Sequence, residues 1–167
     1  MILSGCQNVD SGIGVYAGSH DSYYTFSDLF DKVIEDYHKH GKEDKHVSNM
    51  NYEELECPPF NEEDAARIVS TRIRVGRNLA DFPLGPGVTK EQRDLIESKV
   101  STACKSFEGE LEGTYYALNS LSEADRNQLI EDHFLFKEGD RFLEACGLNR
   151  NWPEGRGIFH NKDKSFL

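Results

Sequence analysis

Residues 41–65, GKEDKHVSNMNYEELECPPFNEEDA, carry neither a helical nor a strand period, and they set Pro58 beside Pro59 between acidic clusters. Adjacent prolines remove two backbone donors and interrupt helix and ladder alike. The tract reads as a linker over residues 41–66, with one piece before it, 1–40, and another after it, 67–167. At 167 residues the chain is long for one ordinary domain and short for two.

Before the linker, Phe26, Leu29, Phe30, Val33, Ile34 and Tyr37 recur at i, i+3, i+4, i+7, i+8 and i+11, the stripe of an amphipathic helix over about 26–39. Thr25 with Asp28 resembles a capping box, and Lys39 and His40 before Gly41 suit the C-terminal end.

After the linker the period changes. Val69, Thr71, Ile73 and Val75 alternate with Ser70, Arg72 and Arg74, which predicts a half-buried strand. Thr89 and Gln92 form a capping box opening a helix whose apolar side carries Leu95, Ile96, Val100, Ala103, Cys104 and Phe107. An extended run, Thr114–Leu118, follows. Ser122 caps a helix through Leu129 and Ile130, and Asp140 caps another that ends at Gly147. The tail reads as a strand over 157–160, a turn, and a second strand over 165–167 with no terminating turn residue, as though cut mid-strand.

Lys and Arg number 19 against 30 Asp and Glu, a formal net charge of -11, which argues against a generic basic surface for nucleic acid or anionic membranes. No run approaches the ~18 apolar residues of a membrane span. The opening MILSGCQNVDSG has neither the basic nor the apolar region of a secretory signal. Cys6, Cys57, Cys104 and Cys146 show no metal-ligand spacing and read as reduced thiols of a cytoplasmic protein.

In an acidic chain an anion site has to be a local cluster of cations. Period-2 geometry puts Arg72 and Arg74 on one strand face with Ser70, their guanidinium groups roughly 6.6–6.8 Å apart. Such a pair suits nucleotide phosphate oxygens, because arginine is permanently charged and donates in a planar fork. It equally suits an exposed strand whose arginines pair with the abundant carboxylates. The loop Asp10-Ser-Gly-Ile-Gly-Val-Tyr16 lets a ligand approach the backbone at two glycines, or is a plain turn. His133 stands at a helix end beside apolar residues, as a site residue or as a cap.

In this order, DSGIGVY at 10–16, LFDKVIEDYH at 29–38, VSTRIRVGRNL at 69–79, EGELEGTYYAL at 108–118, LIEDHFLFKEGDRFL at 129–143 and WPEGRGIFHNKDKSFL at 152–167 resemble the arginine kinases of the phosphagen (guanidino) kinase family. The resemblance implies an α+β fold: the end of a small all-α N-terminal domain, then the first part of a larger, glutamine-synthetase-like antiparallel-sheet catalytic domain. It implies reversible transfer of the ATP γ-phosphoryl group to the guanidino group of L-arginine, giving phosphoarginine and ADP, with Mg²⁺ held by the nucleotide. Ser70, Thr71, Arg72, Ile73 and Arg74 would contact the nucleotide, the two arginines its phosphates, and His133 its adenine and ribose end. Ser11, Gly12, Ile13, Gly14, Val15 and Tyr16 would bind the amino-acid end of the substrate, and Asp10 and Arg141 would form an interdomain bridge.

The arginine assignment rests on SGIGVY and KEGDRFL, with other guanidino substrates and a noncatalytic interaction module as alternatives. The family's catalytic carboxylate, its reactive cysteine and further phosphate-binding arginines would fall past Leu167. The expectation is therefore a fragment that is inactive alone.

Overall fold

Gly113–Ala117 (β1) and Gly157–Asn161 (β2) pair antiparallel, with Tyr115 opposite Phe159 and Tyr116 opposite Ile158. Strand alternation sends these two pairs to opposite faces of the sheet. On one face Ile158 joins Leu118 and Leu129 in a buried cluster, flanked by Tyr116, Leu121, Phe134, Leu135 and Trp152. On the other, Phe159 meets Phe107 and Phe166 edge to face. A lone two-stranded ladder is marginal in water, so packing on both faces is what holds this one.

The structure is a computed structural model and describes residues 1–136 and 138–167. Its helices are Leu3–Gln7 (α1), Ser22–Thr25 (α2), Ser27–His38 (α3), Glu62–Ala66 (α4), Lys90–Lys105 (α5), Glu123–Glu131 (α6) and Arg141–Cys146 (α7). The chain divides into two compact units, Met1–Phe26 with Asn78–Leu167, and Ser27–Arg77. With helices around a small antiparallel sheet, the first unit is of the α+β class.

Local chemistry places the starts of α5, α6 and α7 where the sequence puts them, whereas Thr25, expected to cap the helix over 26–39, ends α2 instead. Thr89 and Gln92 close a reciprocal capping box on α5. The Ser122 side chain accepts from the Asp125 N–H at the start of α6, and Asp140 accepts from the Phe142 and Leu143 N–H groups at the start of α7. Each such cap stabilises its helix by about 1 kcal/mol.

The packed side of α5 differs from the expected one. Leu95 and Val100 are exposed, while Arg93 and Ser101 are buried. With Glu97 half-buried between them and Cys104 half-buried beyond, the packed positions run i, i+4, i+8 and i+11. The reason is polar: Glu97 accepts a hydrogen bond from the Tyr115 hydroxyl at 2.7 Å, and Arg93 donates to the Val88 carbonyl and to Asn151. A helix facing a tyrosine hydroxyl and loop carbonyls is held by donors and acceptors as well as by its apolar stripe.

Arg156 organises the loop before β2, donating to the carbonyls of Leu148, Arg150 and Glu154 and lying 5.2 Å from the centre of the Trp152 ring. Burial, with the nearby Arg93 charge, pushes its pKa down to about 10, so it stays charged at neutral pH.

In the second unit α3 matches the expected helix, and Lys39 ends it in the left-handed region at φ 55°. The linker tract contains a 3-10 turn at Tyr52–Glu54 and one short α-helix, α4, whose N-terminus is capped by Asn61. The expected strand over 69–75 is absent: no strand is assigned there, and Val69, Ile73 and Val75 are 98%, 89% and 72% exposed. An alternating pattern gives a strand two faces but no ladder, and the one sheet among the described residues pairs β1 only with β2. The expected strand over 165–167 is also unassigned. Phe166 instead closes a turn, its carbonyl accepting from the Asn161 N–H and its N–H donating to Asn161 Oδ1.

Lys164 donates to Asp132 Oδ2 at 2.5 Å, tying the end of α6 to the tail after β2. This bond holds the Asp132 carboxyl below its ordinary value. A folded pKa below the unfolded one stabilises fully above roughly pH 4, and that stabilisation is lost as pH falls through the folded value. Asp132→Asn should therefore lower the thermal midpoint near neutral pH, with the gap to wild type closing in acid as the folded carboxyl takes up its proton. A gap of equal size at both pH values would contradict this.

Candidate functional site

Two segments, one in each compact unit, and His133 in the first unit carry the expected binding residues. In the first unit, Asp10–Tyr16 is an irregular loop pinned at both ends. The Ser11 N–H donates to the Asn8 carbonyl at 2.9 Å, and the Tyr16 N–H donates to the Met1 carbonyl at 2.9 Å. Inside it, Ser11 Oγ donates to the Ile13 carbonyl at 2.7 Å. Ser11, Val15 and Tyr16 are half-buried, whereas Gly12, Ile13 and Gly14 are exposed. The loop thus presents bare backbone between two anchored ends, a geometry that offers N–H and C=O groups to a small polar ligand.

The N-terminal end of α7 meets this loop. Asp10 pairs with Arg141, both more than half exposed, so the pair sets geometry more than it adds stability. The Tyr16 hydroxyl sits against Cys146, and burial, then the neighbouring thiol, raises its pKa. Lys137, first residue of the KEGDRFL segment, lies outside the described residues.

His133 has its own local logic. It is exposed and takes φ 60°, its N–H donates to the Ile130 carbonyl, and the Phe134 N–H donates to the Leu129 carbonyl. Those two bonds make the Schellman closure of α6, with His133 in the place glycine usually fills.

In the second unit, Ser70, Thr71, Arg72, Ile73 and Arg74 are all exposed and outside regular structure. Among the described residues, no ion pair includes Arg72 or Arg74, although the chain is rich in carboxylates. Both guanidinium groups keep their donors available to a polyanion.

Two residues absent from the sequence expectations support the loop. Ser4 is fully buried, and its Oγ lies 3.2 Å from Ser11 Oγ and 3.4 Å from the Phe142 carbonyl. Gly5 lies against Gly14. Nothing in the short run LSGCQ signals this role, because a buried serine is recognised only by the partners that tertiary structure brings to it.

Residues 1–35 match the N-terminal domain of ATP:guanido phosphotransferases, and residues 95–167 match the C-terminal catalytic domain of the same enzymes. The two matches together take in more than half of the chain, which belongs to the ATP:guanido phosphotransferase family. An arginine kinase of Anthopleura japonica is 53% identical over 167 residues, covering 99% of this chain and 23% of that protein. An arginine kinase of Carcinus maenas is 48% identical over 168 residues, covering 100% of this chain and 47% of its own length. The chain thus spans less than half the length of these curated relatives.

Among solved structures, the substrate-free duplicated taurocyamine kinase from Schistosoma mansoni matches with a TM-score of 0.81 at 40% identity, over 98% of this chain and 23% of that one. A lombricine kinase matches with a TM-score of 0.75 at 31% identity, over 98% and 45%. Asp10–Tyr16 lies in the first family match and His133 and Arg141 in the second, with Ser70–Arg74 between the two.

A β-carbon in the left-handed region costs about 1–2 kcal/mol, partly offset by the chain entropy glycine loses on folding. His133→Gly should therefore stabilise the fold by roughly 0.5–1 kcal/mol in denaturant unfolding. A loss of stability would show that the imidazole makes a contact outweighing the backbone strain.

Proposed function

We propose that this chain carries the substrate loop and the first nucleotide-contacting segment of an arginine kinase. In this reading the whole enzyme passes the ATP γ-phosphoryl group reversibly to the guanidino nitrogen of L-arginine, giving phosphoarginine and ADP, in the cytoplasm. Residues 1–40 end a small helical domain, 41–66 link it onward, and 67–167 begin the catalytic domain. The observation that carries the reading is the doubly anchored loop with exposed Gly12–Gly14, in a chain about half identical to arginine kinases.

Ser11–Tyr16 hold the amino-acid end of arginine, using backbone groups, the Ser11 hydroxyl and the Tyr16 phenol. Asp10 and Arg141 fix that loop relative to α7. Ser70–Arg74 receive the nucleotide, with Arg72 and Arg74 on its phosphates and His133 toward its adenine and ribose end. The fit is chemical: two exposed guanidinium groups without carboxylate partners in an acidic chain are ready counter-charges for a polyanion. Mg²⁺ carried on the nucleotide shares the neutralisation of its phosphate oxygens.

Phosphoryl transfer asks little covalent chemistry of the protein, which supplies alignment and charge stabilisation. A fixed loop aligns the acceptor, while permanently charged arginines stabilise the transferring group without a deprotonation equilibrium.

A second reading, another guanidino acceptor, is favoured by the likeness to taurocyamine and lombricine kinase structures. Titration of the 167-residue chain with each acceptor, read at the Gly12–Gly14 amides by nuclear magnetic resonance, separates the two. L-arginine should shift these resonances at lower concentration than taurocyamine or lombricine, and the opposite order would assign the loop to the other substrate. With no strand pairing to hold the spacing of Arg72 and Arg74, the chain alone should form no phosphoarginine from L-arginine and Mg-ATP. Measurable turnover would overturn that expectation.

A further inference from the structure

The floor beneath the substrate loop is helix α1, and two adjacent residues make the contact. Ser4 is fully buried, with its hydroxyl between Ser11 Oγ and the Phe142 carbonyl at 3.2 and 3.4 Å. That side chain sits where the helix that floors the loop, the loop itself and the backbone of α7 meet, and its single proton goes either to Ser11 Oγ, which itself donates to the Ile13 carbonyl, or to the Phe142 carbonyl. Asn8 braces the same point, its side-chain amide donating to the Ser4 carbonyl at 3.3 Å.

Gly5 supplies the second contact by having no side chain. A β-carbon at position 5 would lie 3.0 Å from Gly14 Cα and 3.3 Å from its carbonyl oxygen. That is inside ordinary van der Waals contact, and the atoms met are backbone, which cannot rotate away. Gly5 is therefore glycine because the loop backbone rests on it, at a helical position where alanine would otherwise favour the helix.

From this geometry we infer that Ser4 and Gly5 are positioning residues for guanidino-substrate recognition. Ser4 sets the orientation of the Ser11 hydroxyl, and Gly5 sets the height of the Gly14 backbone. Neither touches the substrate; both act through residues that do. The inference rests on the reading of Ser11–Tyr16 as the site for the amino-acid end of the substrate. Its consequence for specificity is direct. A loop seated a few tenths of an ångström higher presents the same groups at the wrong distance, and small misplacements of positioned groups are costly.

The test uses the 167-residue chain with Ser4→Ala, Ser11→Ala, the double variant and Gly5→Ala. Gly12–Gly14 amide resonances, L-arginine affinity and the thermal midpoint are read for each. Ser4→Ala and Gly5→Ala should both move the loop resonances and weaken arginine by roughly threefold to tenfold. Gly5→Ala should do so with little change in the midpoint, since the helix preference of alanine offsets the displacement of the Gly14 backbone. Ser4→Ala with Ser11→Ala should weaken arginine no more than Ser11→Ala alone, because Ser4 acts through the Ser11 hydroxyl that the single change already removes.

Loop resonances left in wild-type positions by both Ser4→Ala and Gly5→Ala, or strictly additive losses at Ser4 and Ser11, would overturn the inference. If the unaltered chain gives no response to L-arginine, the substrate assignment of the loop fails by itself. The loop resonances of the variants still decide whether Ser4 and Gly5 position it.

Discussion

The ladder between β1 and β2 is the interaction on which the first unit depends. Its two faces gather what the rest of the sequence provides. Leu118, Leu129 and Ile158 close one side, while Phe107, Phe159 and Phe166 close the other. The strands are far apart in sequence, and α6 and α7 lie in the connection between them. Pairing the strands therefore brings that connection back onto the sheet. Burial alone would leave register free; Tyr115 opposite Phe159 and the Tyr115–Glu97 hydrogen bond lock both the register and the seat of α5.

The same constraint explains why the expected site is built in one unit and not in the other. Asp10–Tyr16 needs no strand partner, because local carbonyls, Ser4 and Arg141 satisfy and hold it. Ser70–Arg74 has the alternation of a strand and no ladder to join. Its arginines keep their charge and their donors, but a pair of guanidinium groups works as a phosphate clamp only when the backbone holds their spacing. Backbone pairing, more than charge, divides the two segments.

Much of this was legible in sequence wherever the determinant is local. Capping by Thr89, Ser122 and Asp140 was readable because a cap is a hydrogen bond over two or three residues. Helix α3 followed from periodicity, and the extended runs read at 114–118 and 157–160 are β1 and β2, whereas the one strand read from alternation, 69–75, did not form. The misses share one cause, a determinant supplied by a distant residue. The packed side of α5 turns on the Tyr115 hydroxyl and Asn151, the 69–75 segment on a partner strand, and the turn at Phe166 on the Asn161 side chain. Ser4 was invisible for the same reason, since its two partners lie 7 and 138 residues away. The family resemblance, carried by ordered blocks rather than by any one residue, reached further than the local rules.

The most direct test of the account is amide hydrogen exchange along the unliganded chain at neutral pH. The Tyr115, Tyr116, Ile158 and Phe159 region should be protected by roughly a thousandfold or more, while amides over 69–76 should exchange within about tenfold of an unstructured peptide. Protection over 69–76 comparable to that of β1 and β2 would contradict the claim that backbone pairing separates the built segment from the unbuilt one.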